Sequence, residues 1–588
     1  MQTRRSFLQT AVGATAAAAL PTDKPLAEFN YSDVQLAPSL AQTQFEQTQA
    51  ILLGLNEDSL LKPWRLRAGL SAPGPELGGW YDELPLEKTE SGGHGFAPAH
   101  SFGQWLSALA RGYAIDHDAH TYAKLDRLLG LYEAAISPRF YKNFRFPAYN
   151  YDKLVIGLID AHQFAHVPQA LKLLDLTTAA AEPYLPPQAL DRDEPQRRWR
   201  ASVGDNTSDD YTWDESYTLA ENLYLAAERG AGERYRIMAR RFLLNETYFD
   251  PLSENKNILN NHHAYSFCNA LSSAMQAYLS DGSEKHLHAA SNAFAMIQDT
   301  QSFATGAWGP NESFIAADSD YLYTSLTDTH RGFETPCGSY AHFKLTRSLL
   351  RVTGHGRYGD SMERVLYNTV LGAKPLQTDG HAFYYSDYHT GGSKTYFPDA
   401  WPCCSGTLPQ VTADYRLLLY FHDASGLFIN LYLPSTLRYV TPDGAQLTLT
   451  QSGDYPHTPT IKVQLRVSRP ATFALRLRIP AWSRAGIRVN GKPATASMAT
   501  GFATLRRQWK DGDFIELALS LPTRLEPINA KHPNTVAVVR GPLVLFAMGD
   551  APIATPREQL MAIKADSAQF RPFSAIQDEH YSSYVTAS

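Results

Sequence analysis

Two adjacent cysteines, Cys403 and Cys404, lie in the segment Trp401-Pro402-Cys403-Cys404-Ser405-Gly406 of a chain with only four cysteines. A third, Cys337, follows Glu334 in Phe333-Glu334-Thr335-Pro336-Cys337-Gly338. Neighbouring cysteines rarely bond to each other, because the ring they would close is small and strained. Three thiolates and a carboxylate do match the ligand set of a tetrahedral zinc site. The same residues also fit a set of unrelated buried thiols, since a free cysteine packs as a small hydrophobe. The fourth, Cys268, sits beside Phe267 in a helical pattern and reads as core.

Further chemistry-bearing residues cluster in short polar and aromatic stretches. These are His94-Gly95-Phe96, Tyr149-Asn150-Tyr151-Asp152, the run 209–215, Asn260-Asn261-His262-His263 and Gly309-Pro310-Asn311-Glu312. Taken singly, each fits a helix cap or turn as well as a site; Asp209 and Asp214 precede a helical pattern and could cap it. Taken together, they would line a cleft if one end of a helical assembly gathered them.

The elements that must gather them are legible as periodicity. Phe102, Trp105, Leu106, Leu109 and Tyr113 follow i, i+3, i+4 spacing, as do Leu125, Leu128, Leu129 and Tyr132. Similar stretches near 153–165, 167–181, 214–229, 232–244, 264–279, 283–298, 339–353 and 357–370 join two more near 40–53 and 56–69. Twelve helices in six antiparallel pairs predict an (α/α)6 barrel over residues 30–420, with inner-helix ends around one cleft; an open helical array is the alternative. Near 420 the period changes to 2. Segments such as Phe473-Ala474-Leu475-Arg476-Leu477-Arg478-Ile479 alternate, and Asn490-Gly491 and Asp511-Gly512 read as hairpin turns. Residues 421–588 are therefore expected to form an antiparallel β-sandwich ending in a strand at 536–548, with a C-terminal segment that wraps back. The fold class is α + β, multidomain.

The 588 residues carry a net charge of -6, which argues against a nucleic-acid partner. No stretch after the N-terminus is long and apolar enough for a membrane anchor. Residues 1–22 read as a twin-arginine signal peptide, with Arg4-Arg5 before Phe7-Leu8 and an alanine-rich end, so a periplasmic or secreted location is expected. Folded export would let a zinc–thiolate site load in the reducing cytoplasm before it meets a disulfide-forming compartment.

These motifs amount to a resemblance. Over nearly its whole mature length the chain resembles glycoside hydrolase family 127, the β-L-arabinofuranosidase type. The carriers are Leu60-Leu61-Lys62-Pro63-Trp64-Arg65, Gly78-Gly79-Trp80, the run 103–108, the run 217–224, Glu334 with Cys337, and Cys403-Cys404. The resemblance implies that Glu334, Cys337, Cys403 and Cys404 bind Zn2+ and that Cys403 is the nucleophile. It implies Glu312 as acid/base and His263 as a sugar contact. Tyr149, Asp152, His94, Tyr385 and His389 are further candidates for the sugar pocket; at the Asp152 position the family often has histidine. The family spacing places one residue between glutamate and cysteine. Here Thr335 and Pro336 both intervene, so the extra residue is expected to be absorbed in a loop.

The implied activity is retaining, exo-acting hydrolysis of β-L-arabinofuranosides or related furanosides, with a plant or microbial oligosaccharide as partner. Two readings stand beside it. One is an inverting or unsaturated-sugar hydrolase using Asp210 or Glu215 with Glu312 around a structural zinc. The other is a non-catalytic carbohydrate-binding protein. The sandwich could bind carbohydrate, support the barrel or form a homodimer contact.

Overall fold

The structure is a computed structural model, and it describes residues 24–82, 95–204, 213–551, 553–564 and 567–588. Its centre is a ring of helices. The long helices are α1 (Leu40–Gly54), α2 (Glu57–Ala68), α3 (Phe102–Asp116), α4 (Ala119–Ala135), α5 (Pro147–Ala165), α6 (Ala170–Ala181) and α7 (Leu219–Ala226). They continue with α8 (Glu233–Arg241), α9 (Ala264–Asp281), α10 (Glu284–Thr300), α11 (Thr335–Thr353), α12 (Arg357–Asn368) and α13 (Cys403–Asp414). Helices α3, α5, α7, α9, α11 and α13 each pack on the next, and α13 returns to α3, which closes an inner ring. Helices α4, α6, α8, α10 and α12 pack outside the inner helix that precedes each of them, and α1 packs on α13.

The pairing differs from the sequence expectation in one place. Helix α2 is not a ring member; it packs on the outer helix α4. The twelfth position belongs to α13, so the first helix of the chain is the outer partner of the last inner one. Helix α13 carries no amphipathic signal because all twelve of its residues are buried. An element buried on every side has no polar face for a period to mark.

Close packing sets the height of the inner helices. A Cβ on Gly103 of α3 would lie 2.0 Å from the Lys153 carbonyl oxygen of α5, and one on Gly157 would lie 2.4 Å from the Gly103 oxygen. The far end of the ring is pinned by charge. Arg111 of α3 meets Asp160 of α5 at 2.8 Å and Asp414 of α13 at 3.0 Å, and the Tyr31 hydroxyl donates to Asp414 at 2.6 Å.

Two sheets follow the ring, and the chain's start supplies an edge strand to each. Ala27–Glu28 pairs with Tyr420–Asp423, and Val34–Leu36 pairs with Ser435–Val440. Pairing is antiparallel except between Gly426–Ile429 and Ala471–Arg478, which run parallel. Asn490-Gly491 closes a hairpin with both residues at positive φ, as a tight hairpin turn requires. Asp511-Gly512 does not close one. It carries the chain from Phe502–Trp509 in one sheet to Phe514–Leu519 in the other. The expected terminal strand at 536–548 is instead two strands, Thr535–Arg540 and Leu543–Met548, within a third sheet that includes Val585–Ala587. That sheet lies against the ring: Asn368 donates to the Pro542 carbonyl at 2.9 Å, and Lys394 donates to the Phe573 and Ile576 carbonyls at 2.7 Å each.

Candidate active site

The inner helices begin around one cleft of about 450 Å³. His100 precedes α3, Tyr149 lies in the first turn of α5, and Glu215 precedes α7. His263 is the cap residue before α9, Glu334 the cap residue before α11, and Cys403 the first residue of α13. Glu312 enters from the connection after α10, and Tyr384 and Tyr385 from the one after α12. All of these residues line the cleft. Helix starts present unpaired N–H groups and the positive end of the helix dipole, which suits a site rich in anionic groups.

The thiols and one carboxylate converge at its floor. Cys337 Sγ is 3.5 Å from Cys403 Sγ and 3.4 Å from Cys404 Sγ, and Cys403 Sγ is 3.4 Å from Glu334 Oε1. One donor atom from each of Glu334, Cys337, Cys403 and Cys404 lies within 4.8 Å of every other. The residue between Glu334 and Cys337 that the family spacing lacks is absorbed not in a loop but in helix. Thr335 and Pro336 start α11, so Glu334 and Cys337 stand three apart on one helix face.

Charge in this cluster is unevenly held. Burial pushes the Cys403 thiol up, but bonds from Cys337, Cys404 and Tyr384 outweigh it and hold the group well below its ordinary value. Burial and the negative charge at Cys403 push Glu334 well above the carboxylate range. Burial likewise raises Cys337 and Cys404. Four ionisable donors packed this closely cannot all carry charge without a cation among them. The donors fit one. Thiolates on a tetrahedral zinc stand about 3.8 Å apart, within a few tenths of the separations here. Glu334 Oε2 is a buried acceptor without a hydrogen-bond partner. The cluster is thus a candidate metal site built from side chains.

Opposite it lies a second network. The Tyr385 hydroxyl donates to Glu312 Oε1. His263 Nε2 stands 3.4 Å from Glu312 Oε2 and 3.8 Å from Glu334 Oε2, while its Nδ1 meets Glu215 Oε1 at 2.9 Å. Glu215 is also paired with Arg192. Burial lowers the His263 pKa and Arg192 lowers it further, yet Glu215 and Glu312 outweigh both and raise it. Burial raises Glu312, but His263 and the Tyr385 and Tyr384 hydroxyls bring it below the ordinary carboxylate value. Asn311 and Glu312 both hold positive φ, 54° and 61°. Backbone strain of that kind at non-glycine residues persists where surrounding contacts fix the conformation, here the bond from the Asn311 N–H to the Arg331 carbonyl at 2.8 Å.

The sequence-derived candidates thus separate. Cys403, Glu312, Glu334, His263, Tyr149 and Tyr385 share the cleft, with Cys337 and Cys404 directly behind Cys403. Asp152 does not line it; its carboxylate is bonded inside the ring to Lys153 at 3.1 Å and Asn222 at 2.8 Å. Position 152 is the sixth residue of α5, three residues and just under one turn deeper than Tyr149. His389 also lies off the cleft, its ring bonded to the Thr390 and Thr327 carbonyls and stacked on His330 at 4.2 Å. His94 and Asp210 fall outside the described residues. Three participants were not picked from the sequence. The Tyr384 hydroxyl stands 3.2 Å from Cys403 Sγ, and its adjacency to Tyr385 was a usable signal. Arg192 and His100 had none, since an isolated cation or a loop histidine has no spacing to read.

Residues 33–416 match the family described as β-L-arabinofuranosidase, GH127 catalytic domain, and residues 426–521 match its middle domain. The chain is 27% identical over 270 residues to the non-reducing end β-L-arabinofuranosidase of Bifidobacterium longum subsp. longum. That match covers 42% of this chain and spans about two fifths, 39%, of the relative. Among solved structures, the chain is similar to a GH127 β-L-arabinofuranosidase from Geobacillus stearothermophilus T6. The TM-score is 0.69 at 17% identity, over 94% of this chain and 100% of that one. A second GH127 β-arabinofuranosidase structure gives 0.73 at 15% identity, over 96% and 98%. These two likenesses bear on the fold, a helical barrel followed by β domains.

Proposed function

The chain belongs to glycoside hydrolase family 127, and from that premise and the geometry of its cleft we propose a retaining, exo-acting hydrolase of β-L-arabinofuranosides or related furanosides. The observation that carries the reading is the placement of one cleft-facing, acidified thiol, Cys403, in the same pocket as a buried carboxylate, Glu312.

Glu334, Cys337, Cys403 and Cys404 would hold Zn2+. When bound, the ion keeps the thiols deprotonated at neutral pH, as a coordinating cation does. The steps themselves belong to side chains. Cys403 Sγ attacks the anomeric carbon, and the bond to the leaving oxygen breaks as that oxygen takes a proton from Glu312. His263 Nε2 lies 3.4 Å from Glu312 Oε2, beside the group that gives and takes the proton. Water then attacks the same carbon, gives its proton to Glu312, and the sulfur leaves as thiolate. Two displacements retain configuration. The Tyr384 hydroxyl stands 3.2 Å from Cys403 Sγ, within reach of the attacking sulfur.

The two-carboxylate reading finds less support. Glu215 is held by Arg192 and His263, and these outweigh burial to bring it far below the carboxylate range. A carboxylate so tied is a poor base for water. The non-catalytic reading leaves the approach of Cys403 and Glu312 without a role.

Glu312→Gln tests the mechanism because it leaves the four donors untouched. Turnover of substrates with poor leaving groups should fall by about 10²–10⁴-fold. Activated aryl glycosides need little protonation and should leave a sugar adduct on Cys403, visible by intact mass and peptide mapping. An inverted product, or normal rates in the variant, rejects the mechanism.

A further inference from the structure

Two residues that line the cleft take no part in the chemistry above, and each stands beside a group that touches Glu312. One is Arg331, which is exposed and holds its guanidinium carbon 5.5 Å from the centre of the Tyr385 ring. The other arginine of the cleft, Arg192, is paired with Glu215. Among the described residues Arg331 has no carboxylate partner. The other is Trp213, which is 44% exposed and lines the cleft. It is held in that position by Arg192, 4.6 Å from the ring centre, and faces His263 at 6.3 Å. The Tyr385 hydroxyl and His263 are among the groups that hold Glu312.

A group that protonates the glycosidic oxygen must face the leaving sugar. On the reading of Glu312 as acid/base, the space between Trp213 and Arg331 is therefore the aglycone side of the cleft. We propose that this subsite takes a uronosyl residue, with a sugar face on the Trp213 indole and its carboxylate on the Arg331 guanidinium. A single planar guanidinium matches a carboxylate in a two-point bond. An amphipathic indole suits the apolar face of a pyranose ring.

Direct binding tests this without relying on turnover. Wild type, Arg331→Gln and Trp213→Ala would be titrated by calorimetry with methyl galactopyranosiduronate, its methyl ester and methyl galactopyranoside. Because Arg331 is solvent-exposed, the wild-type preference for the acid over the ester should be roughly three- to tenfold, and should shrink with salt. Arg331→Gln should abolish that preference, and Trp213→Ala should weaken all three ligands together. Equal binding of acid and ester by the wild type, no binding of either, or a preference that survives in Arg331→Gln overturns the proposal. Hydrolysis of an aryl β-L-arabinofuranoside, followed in the same preparation, separates the two readings. Acid preference without turnover keeps the anion site and rejects the glycosidase; turnover without acid preference does the reverse.

Discussion

Replacing Glu215 by glutamine should loosen one wall of the cleft while leaving the metal donors in place. The carboxylate has 4% side-chain exposure and holds two groups at once, Arg192 and His263 Nδ1. An amide of the same shape removes the charge and leaves both facing a neutral group. Breaking a buried pair from one side costs about 3–5 kcal/mol, because the remaining charge is stranded. Arg192 keeps 17% side-chain exposure and stacks on Trp213, so the cost falls to or just below the low end of that range, about 2–3 kcal/mol. In a chain of several domains a single unfolding temperature is a poor reporter. Native-state hydrogen exchange of peptides around 188–200 and 258–266 is a better one, and should accelerate by roughly 30- to 150-fold. Arg192→Met should cost a similar amount, and the double variant should cost less than the sum, since replacing both partners by uncharged groups is often near neutral. Unchanged exchange in Glu215→Gln, or strict additivity in the double variant, would refute the reasoning that Glu215 is the hub of this network.

Two further predictions follow from other groups. His342 is buried and neutral, accepting from Trp308 Nε1 at 3.3 Å and meeting Ser361 Oγ at 3.0 Å, and burial lowers its pKa to about 3. The unfolded chain then binds more protons below the ordinary value near 6.5, so stability is fully present above it and falls with falling pH, by about 2 kcal/mol at pH 5 from this group; His342→Gln should flatten the slope of the urea midpoint between pH 7 and 5, and an unaltered slope would contradict the assignment. Arg4 and Arg5 lie outside the described residues, but we propose that they direct folded export, in which case Arg4→Lys with Arg5→Lys should leave the protein in the cytoplasm on fractionation, and unchanged export would show the pair to be incidental.

What the sequence reveals depends on how each element is buried. Helices with one solvent face, such as α4 with its buried Leu125, Leu128, Leu129 and Tyr132, announce themselves by period. Helix α13 does not, although it carries the cysteine pair, because it is small, proline-containing and buried all round. The strands Ala27–Glu28 and Val34–Leu36 are too short to show alternation and are specified by their partners in the sandwich. The candidate metal donors were legible because their residue types are rare. Only the fold could reveal that Asp152 turns into the ring, since its neighbour Tyr149 differs from it by less than one helical turn. The Arg192–Glu215–His263 chain was illegible for the opposite reason: its members come from three separate connections and meet only in space.

Exposure orders the three thiols. Cys403 is 8% exposed and lines the cleft, while Cys337 and Cys404 are fully buried behind it. The acidity order runs the same way, with Cys403 below its ordinary value and the other two above theirs. Thiolate content and access together govern alkylation. Protein expressed without residues 1–22 should carry about one zinc per chain, as a single four-donor set implies. With the metal in place iodoacetamide should react slowly. After chelation Cys403 should become the first site of labelling, by roughly tenfold over Cys337 or Cys404, and Cys268 in the core of α9 should stay unmodified until the chain is denatured. Peptide mapping over time reads the order. Prior labelling of Cys404 or Cys337 would show that the cleft-facing thiol is not the reactive one, and the assignment of Cys403 as nucleophile would fall. Zinc well below one per chain in an active preparation would remove the ion from the reading and leave the acidified thiol to the protein alone.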